Sequence, residues 1–229
     1  MESIVSCRDV TKVYREDGIQ VTAVDEVDLA VTPGEFVSLS GPSGSGKTTL
    51  LNLIGGLDSP TRGDIAVAGR RVDHQKKAAL AELRLRQIGF VFQAYNLIPV
   101  LSALENIEFV LQLQGAGRKE RRKKATSMLE QVGLEGMGDR RPAKLSGGQQ
   151  QRVAVARAIV SDPSVVLADE PTANLDSATA FSLMDLFARL NEEKGTTFIM
   201  TSHDPRMIER TRRNVELRDG KVARDETVR

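Results

Sequence analysis

The sequence is poor in cysteine, aromatic residues and long apolar runs. The shortages of cysteine and of apolar runs each exclude a class of protein. Its 229 residues include one cysteine, Cys7, no tryptophan and 4% aromatic residues. A single cysteine rules out an internal disulfide and fits a reducing compartment. No apolar run approaches the ~18 residues that a transmembrane helix needs, and no signal peptide is recognisable at the start. We therefore expect a cytoplasmic protein with no direct membrane span.

Acidic and basic residues are nearly equal in number, so no nucleic-acid partner is expected. The 32 lysines and arginines and the 31 aspartates and glutamates leave a formal net charge of +1. A dedicated nucleic-acid binder would carry a clear basic excess. With 40% hydrophobic and 28% charged residues, the composition is that of a soluble globular protein. We interpret the basic run of residues 118–124 as a solvated helix face, with attraction to anionic lipid headgroups as the alternative.

Strand-like and helix-like patterns alternate along the chain and predict an α/β fold. The turn Glu16-Asp17-Gly18 separates β-rich segments near the start, and Asp219-Gly220 is typical of a hairpin. Ser102 with Glu105 and Ser146 with Gln149 match capping boxes, which indicate helix starts. The predicted strands are residues 27–31, 36–40, 88–92, 165–168 and 198–200. The first predicted helix begins after residue 46 and runs to about Gly55, and two more begin at the capping boxes of Ser102 and Ser146. Further helices are predicted at 118–134 and 177–194, and the last begins at Asp204-Pro205.

A glycine-rich loop between a strand and a helix predicts a phosphate site. The segment fits the pattern G-x-x-x-x-G-K-[ST] in the structural context that this pattern requires. Its glycines allow backbone N–H groups to approach phosphate oxygens, and the helix N-terminus adds partial positive charge. Lys47 can reach the outer phosphates, and Thr48 can bind Mg²⁺. The alternative for the whole segment is a glycine-rich turn that matches the pattern by chance. The predicted phosphate-binding residues are Gly41, Pro42, Ser43, Gly44, Ser45, Gly46, Lys47, Thr48 and Thr49.

Two acidic residues follow the apolar strand at 165–168. In doubly wound sheets, ligands gather at the carboxyl ends of the strands. Asp169 is therefore suited to hold Mg²⁺, and Glu170 is suited to activate a water molecule as a general base. The alternative is a solvated acidic pair that begins a turn before Pro171.

The segment Leu145-Ser146-Gly147-Gly148-Gln149 distinguishes this sequence from other phosphate-loop proteins. Here the sequence resembles the ABC (ATP-binding cassette) ATPases, whose signature is LSGGQ. Taken alone, the segment could be an ordinary helix cap. The resemblance implies a P-loop core of mainly parallel sheet, an N-terminal antiparallel β subdomain and an inserted helical subdomain. It also implies ATP and Mg²⁺ as cofactors and a head-to-tail homodimer, in which this segment faces the γ-phosphate held by the other protomer.

Further positions match the family one by one. The resemblance implies that Gln93 senses Mg²⁺. It also implies that His203 contacts the γ-phosphate, and the alternative for His203 is an ordinary surface histidine. Tyr14 stands where an aromatic ring stacks on adenine, with simple packing as the alternative. Asp176 is retained in the segment 173–176, where the sequence Ala-Asn-Leu-Asp departs from the family's usual Ser-Ala-Leu-Asp. The expected catalytic residues are Glu170, His203, Lys47 and Gln93, and the expected metal ligands are Thr48, Gln93 and Asp169.

One bacterial branch is most similar, on the segments 89–97 and 147–154. It contains ATPases of lipoprotein release, macrolide export and cell division. This implies a separate permease, mechanical transmission of the ATP cycle, and a peripheral location on the inner face of the cell membrane. We expect a single domain, 1–229, with a core at 1–92 and 161–229 and a helical subdomain at 93–160. The rival hypotheses are a soluble ABC-type ATPase that acts on ribosomes or DNA, and a regulatory scaffold with little turnover.

Overall fold

The structure is a computed structural model that describes residues 3–16 and 18–228. Asp17, the middle residue of the predicted turn Glu16-Asp17-Gly18, lies outside the described residues. The strands are β1 (Val5–Glu16), β2 (Ile19–Val31), β3 (Phe36–Ser40), β4 (Arg62–Val67), β5 (Arg70–Arg71), β6 (Ile88–Val91), β7 (Val165–Ala168), β8 (Thr197–Thr201), β9 (Arg213–Arg218) and β10 (Lys221–Thr227). The helices are α1 (Lys47–Ile54), α2 (Lys77–Gln87), α3 (Ala103–Leu113), α4 (Arg118–Gln131), α5 (Gly147–Ile159), α6 (Ser177–Lys194) and α7 (Pro205–Ile208), with a 3₁₀ turn at Pro142–Lys144.

A six-stranded sheet forms the centre of the fold, in the order β10-β9-β3-β8-β7-β6. Strands β9, β3, β8, β7 and β6 are parallel to their neighbours, and β10 pairs antiparallel with β9. Every residue of β3, β7 and β8 is buried. Such continuous burial is expected where helices and a second layer cover both faces of a parallel sheet. The predicted mainly parallel core is confirmed.

A four-stranded antiparallel sheet, ordered β2-β1-β4-β5, forms the N-terminal part. The sequence predicted a strand at residues 27–31, which is the end of the thirteen-residue β2. The first residues of β2 are exposed, so they lack the alternation of buried and exposed positions that marks a half-buried strand. This exposed stretch explains why the prediction was too short.

The inserted helices α3, α4 and α5 lie between β6 and β7 along the chain and pack on one another. Both predicted capping boxes are present, at Ser102 with Glu105 and at Ser146 with Gln149. The predicted helix at 118–134 ends earlier, at Gln131. No helix in residues 3–16 and 18–228 is both long enough and apolar enough to cross a membrane.

Two buried clusters cover the faces of the central sheet. Phe36, Phe187 and Phe198 pack together on the face that α5 and α6 cover, with ring centroids 5.3–6.4 Å apart. On the other face, α1 and the antiparallel sheet pack over Val37 and Leu39. This sandwich fixes the carboxyl ends of the parallel strands, where the predicted site residues lie.

Candidate nucleotide site

The phosphate loop connects β3 to α1 and is held between two other parts of the chain. Gly46 has φ of 100°, and a Cβ atom there would lie 2.2 Å from the Ala23 carbonyl oxygen of β2, so only glycine fits. On the other side, the Gly220 N–H of the β9–β10 hairpin donates to the Ser45 carbonyl oxygen at 3.2 Å. The Gly220 carbonyl in turn accepts from the Asp25 N–H at 2.9 Å. The loop is therefore fixed at the N-terminus of α1, where free N–H groups favour an anion.

Lys47 lies inside this loop and is only 6% exposed. Its Nζ donates to the carbonyl oxygens of Gly41 and Pro42, each at 2.8 Å. Ser45 Oγ is also buried, and it has no hydrogen-bond partner in the part of the chain that the structure describes. A buried ammonium group and an unpaired hydroxyl inside a glycine loop match the donor chemistry that a polyphosphate needs.

Thr48 and Asp169 bring a hydroxyl and a carboxylate together beside the loop. Asp169 follows β7, and its backbone N–H donates to the Val91 carbonyl oxygen at 2.9 Å. The Thr48 hydroxyl donates to Asp169 Oδ1 at 3.0 Å. These hard oxygen atoms suit Mg²⁺, which in nucleotide sites takes one or two protein ligands together with phosphate oxygens and water. Among the described residues, no set of three or more His, Cys, Asp or Glu side chains forms a cage for a metal.

Thr201 is a site residue that the sequence analysis missed. It is the last residue of β8, is 0% exposed, and donates its hydroxyl to Asp169 Oδ1 at 2.8 Å. The hydroxyl oxygen of Thr201, in turn, accepts the Glu170 backbone N–H at 2.8 Å. A polar residue at the carboxyl end of an otherwise apolar strand was the available signal, and it was not used.

Glu170 and His203 come from adjacent strands and contact each other. His203 Nδ1 lies 3.1 Å from Glu170 Oε1. Glu170 has φ of 42°, in the left-handed region that is unfavourable for a residue with a side chain. A cavity of about 190 Å³ opens beside this pair and is lined also by Ser202 and Thr172. The arrangement can orient a water molecule next to a carboxylate.

Gln93 lies two residues after β6 and is linked to the segment that follows Glu170. Asn174 Nδ2 donates to the Gln93 carbonyl oxygen at 3.0 Å, and Gln93 Nε2 lies 3.5 Å from Asn174 Oδ1. Asn174, one of the two residues by which segment 173–176 departs from the family's usual sequence, is thus bonded to Gln93.

Tyr14 stands at the edge of the site, and 41% of its surface is exposed. Its hydroxyl donates to Asp58 Oδ2 at 2.8 Å, and the Lys12 ammonium lies 4.8 Å from the ring centroid. The Thr49 side chain, in the first turn of α1, lies near the same hydroxyl. Partial burial, followed by the hydrogen bond and charge of Asp58, raises the pKa of Tyr14. The bond to Asp58 therefore holds the Tyr14 hydroxyl close to the first turn of α1.

The segment Ser146–Gln149 forms the N-terminus of α5, with Ser146 as its N-cap. Ser146 Oγ accepts the Gln149 N–H at 3.3 Å, and Gln149 Oε1 accepts the Ser146 N–H at 3.0 Å. A Cβ atom at Gly148 would lie 2.5 Å from Thr179 Cγ2, so this helix packs closely against α6. Within residues 3–16 and 18–228, no hydrogen bond joins Ser146–Gln149 to the phosphate loop.

Asp176, the predicted nucleotide-binding residue of the next segment, caps α6. Its carboxylate accepts both the backbone N–H and the hydroxyl of Thr179, at 3.0 and 2.7 Å. These bonds lower the pKa of Asp176 below its ordinary value. The structure therefore gives Asp176 a local structural role in addition to the predicted one.

Helix α5 also contacts the loops that carry the other site residues. Gln151 is 0% exposed, and its Nε2 donates to the Pro171 carbonyl oxygen at 2.9 Å. Arg157 donates to the carbonyl oxygens of Tyr95 and Asn96 at 2.9 and 2.6 Å. One helix thus touches the segment after β6 and the segment after β7.

Comparison with known proteins agrees with this geometry. The sequence model of the family described as ABC transporter matches residues 24–173, which include the phosphate loop, Ser146–Gln149 and the Asp169-Glu170 pair. The chain belongs to the ABC transporter family. This assignment confirms the predicted ABC-type ATPase with its α/β P-loop fold.

Curated relatives of this ABC cassette extend over nearly the whole chain. The lipoprotein-releasing system ATP-binding protein LolD of Chromohalobacter salexigens is 44% identical over 224 residues, which cover 98% of this chain and 94% of that protein. An uncharacterized ABC transporter ATP-binding protein of Thermotoga maritima is 45% identical, covering 97% of this chain and 94% of that protein. The macrolide export ATP-binding/permease protein MacB of Syntrophobacter fumaroxidans is 46% identical, but the chain spans only 31% of its length.

Solved ABC cassettes share the fold. A dimeric structure of a post-hydrolysis state of the ATP-binding cassette MJ0796, bound to ADP and Pi, matches with a TM-score of 0.91 and 43% identity. It covers 98% of this chain and 99% of that chain. A second dimeric structure of the same bacterial ABC transporter cassette matches equally well. These similarities favour the transporter class over the ribosome- or DNA-acting alternative.

Proposed function

We propose that this ABC ATPase binds ATP with Mg²⁺, hydrolyses it in a head-to-tail homodimer, and thereby drives a separate transmembrane permease. One observation carries the proposal: the hydrogen bond of 3.0 Å between Thr48 of the phosphate loop and Asp169, the residue that follows β7. It places the phosphate-binding helix next to the carboxylates at the end of a parallel strand. Glu170 and His203 meet at the same sheet edge, 3.1 Å apart.

ATP binding uses the loop and the held tyrosine. The phosphates bind along residues 41–49, where Lys47 exchanges its bonds to the Gly41 and Pro42 carbonyl oxygens for phosphate oxygens. Adenine stacks on the exposed ring of Tyr14, which Asp58 holds in place. Thr48, Asp169 and Gln93 would hold Mg²⁺, which would supply Lewis-acid stabilisation of the phosphate charge.

Hydrolysis depends on Glu170 and its neighbours. The Glu170 carboxylate accepts a proton from the attacking water, a general-base role that contributes about 10²–10⁴-fold to a rate. His203 lies against the same carboxylate at 3.1 Å, where it orients Glu170 and reaches the terminal phosphate. Lys47 stabilises the negative charge that develops on the transferred phosphate.

The dimer completes each site. Ser146–Gln149 forms the N-terminus of α5, a position that favours an anion, and in the proposed dimer it faces the γ-phosphate of the nucleotide held by the second protomer. The solved relatives are dimeric, which supports the association. We expect Asp176 to lie near this contact between protomers. Hydrolysis weakens the dimer because the γ-phosphate is the ligand that the two protomers share.

The names of the relatives suggest the larger system. LolD is named for a lipoprotein-releasing system, and MacB is named as an ATP-binding and permease protein for macrolide export. We therefore propose a permease partner of the lipoprotein-release or export type and a peripheral location on the inner face of the cell membrane. The helical subdomain, residues 93–160, couples the ATP cycle to that partner, and Gln93 at its start takes part in this coupling.

Two substitutions test the ATPase site directly. Glu170→Gln preserves size but cannot accept a proton, so we expect ATP binding, a stable dimer and turnover reduced by about 10²-fold or more. Lys47→Ala should lose most ATP affinity. The control is Glu192→Gln, which changes an exposed carboxylate of α6 that pairs with Arg212. Turnover and dimer mass are measured for each; normal turnover in Glu170→Gln would remove Glu170 from its role. Absence of turnover in the unaltered protein and its partner complex would favour the scaffold hypothesis.

The partner is identified by capture. Tagged Glu170→Gln protein with ATP and Mg²⁺ is used to recover partners from detergent-solubilised membranes of the source cell. We expect a multi-span permease with a large extracytoplasmic domain. Recovery of ribosomal or DNA-bound proteins without any membrane protein would refute the transport function and support the soluble alternative.

A further inference from the structure

Thr201 joins the two carboxylate residues through one buried hydroxyl. A hydroxyl has one proton to donate and lone pairs to accept with, so the two observed bonds assign its direction. The proton goes to Asp169 Oδ1 at 2.8 Å, and the oxygen accepts the Glu170 N–H at 2.8 Å. Because Thr201 is 0% exposed, water does not compete freely for either bond.

The first bond fixes the Asp169 carboxylate from the side of the sheet. Asp169 Oδ1 accepts two hydroxyls, from Thr48 on α1 and from Thr201 on β8. Thr48 belongs to the phosphate loop and helix, and it is itself an expected metal ligand. Thr201 belongs to the buried parallel sheet. The bond to Thr201 therefore keeps the carboxylate oriented whichever contacts Thr48 makes.

The second bond fixes the backbone of Glu170. The left-handed φ of 42° is unfavourable for a residue other than glycine, so surrounding contacts must stabilise this backbone conformation. The Glu170 N–H is anchored by Thr201, and this peptide unit connects Asp169 to Glu170. The same backbone conformation directs the Glu170 carboxylate towards His203.

We propose that Thr201 is a positioning residue. Its hydroxyl fixes the metal-binding carboxylate of Asp169 and the backbone of the water-activating Glu170 relative to each other. Thr201 is 0% exposed and lies at the end of the buried strand β8. It acts through Asp169 and through the Glu170 peptide. This inference rests on the proposed ATPase function of the same site.

The same strand provides a matched control. Thr197 is four residues earlier on β8, is 1% exposed, and its Oγ1 accepts the Gly34 N–H at 3.0 Å. It points to the same face of the strand but lies ~13 Å away along β8, at the rise of a strand. Thr197→Val and Thr201→Val therefore remove the same hydroxyl from the same strand, and each leaves one backbone N–H without its acceptor. Only Thr201→Val also releases Asp169.

The experiment compares Thr201→Val, Thr201→Ser and Thr197→Val in the full chain. For each we would measure ATP affinity with and without Mg²⁺, the kcat and KM of hydrolysis, and thermal unfolding. Hydrogen bonds to charged groups are strong, so Thr201→Val should reduce both kcat and the Mg²⁺-dependent gain in ATP affinity by about 10-fold or more. Affinity for ATP without Mg²⁺ should remain within about 2-fold, because the phosphate loop is unchanged.

The control and rescue variants give the discriminating results. Thr197→Val should lose about as much thermal stability as Thr201→Val and keep normal Mg²⁺ dependence. Thr201→Ser retains the hydroxyl and should return both quantities to within about 2-fold of the unaltered protein. If Thr201→Val does not fold, Thr201→Ala takes its place in the same comparison.

Three outcomes would each overturn either the positioning role or the ATPase function. If the unaltered protein hydrolyses ATP and Thr201→Val does so with the same kcat and Mg²⁺ dependence, Thr201 has no positioning role, and the ATPase function stands. Equal loss in Thr197→Val would likewise refute positioning, because the effect would come from general destabilisation. If the unaltered protein neither binds nor hydrolyses ATP, the proposed function fails first.

Discussion

Gln151→Met should leave stability almost unchanged, although Gln151 is a fully buried polar residue. Its Nε2 donates to the Pro171 carbonyl oxygen at 2.9 Å, but its Oε1 is buried without a partner in the described part of the chain. A buried unpaired polar atom costs about 1–3 kcal/mol, and Gln151→Met removes this one. The Pro171 carbonyl then loses its donor, which costs a similar about 1–3 kcal/mol. Methionine fills nearly the same volume, so the net change in the free energy of unfolding should be under about 1 kcal/mol.

Asn106→Leu provides the contrast. Asn106 is also fully buried, but its Oδ1 accepts the Ile98 N–H at 2.8 Å. Its Nδ2 donates to carbonyl oxygens of residues 98, 101 and 102 at 2.9–3.2 Å. Removing this fully paired amide should cost at least about 3 kcal/mol. Urea unfolding followed by circular dichroism measures both variants. A loss above about 2 kcal/mol for Gln151→Met would show that Oε1 is satisfied in solution and that the reasoning is wrong.

Three further predictions concern the nucleotide edge, the core and acid stability. Asp58→Ala and Tyr14→Phe should each weaken ATP binding by about 2- to 10-fold, because each removes the hydrogen bond that holds the ring. Asp58 also accepts from Lys12, so the double variant should be no worse than Asp58→Ala alone, and additive losses in a titration would contradict this. Phe187→Ala should lower the free energy of unfolding by about 3–5 kcal/mol, and a loss under about 1 kcal/mol would show a poorly packed aromatic cluster. Burial would raise the pKa of Asp73, but hydrogen bonds from Arg71 and the Ile65 N–H outweigh it and keep the pKa below the ordinary value of an aspartate. The stability from Asp73 is therefore present above that value and lost as pH falls through the lowered pKa, so Asp73→Asn should reduce the slope of unfolding free energy against pH only in that acidic range.

The elements that sequence predicted best are those with strong local signals. The strand at 165–168 is entirely apolar and entirely buried, so its pattern and its place in a parallel sheet agree. The helix starts at Ser102 and Ser146 follow from reciprocal caps that span only four residues. The Asp219-Gly220 hairpin follows from two residues with positive φ, 49° and 79°.

Helix α2 was missed because it buries little. Among its eleven residues, Leu80 and Leu83 are buried, and the rest are mostly exposed. Two apolar contacts do not produce a clear period of 3.6 residues. The intervening strands β4 and β5 are short and partly exposed, and they were missed for the same reason.

The site was predictable where a motif is contiguous and not where it depends on neighbouring strands. Lys47 and Glu170 lie in short recognisable patterns, whereas Thr201 acquires its role only because β8 lies beside β7 in the sheet. Asn174 and Asp58 likewise have their partners 81 and 44 residues away. Such pairings are decided by topology, which periodicity alone does not fix.

The phosphate loop has a thermodynamic consequence that follows from its position between Ala23 of β2 and Gly220 of the β9–β10 hairpin. A glycine-rich loop in solution has more conformational freedom than any other sequence of its length. Here the conformational entropy of the loop is lost on folding, when the two sheets pack together. Ser45 is then bonded to the β9–β10 hairpin, and Gly46 packs against β2. The ordering is therefore completed by folding, before any ligand arrives, and an incoming phosphate meets N–H groups that are already arranged. Nucleotide affinity in this chain should consequently depend on residues of β2 and of the hairpin that never touch the nucleotide.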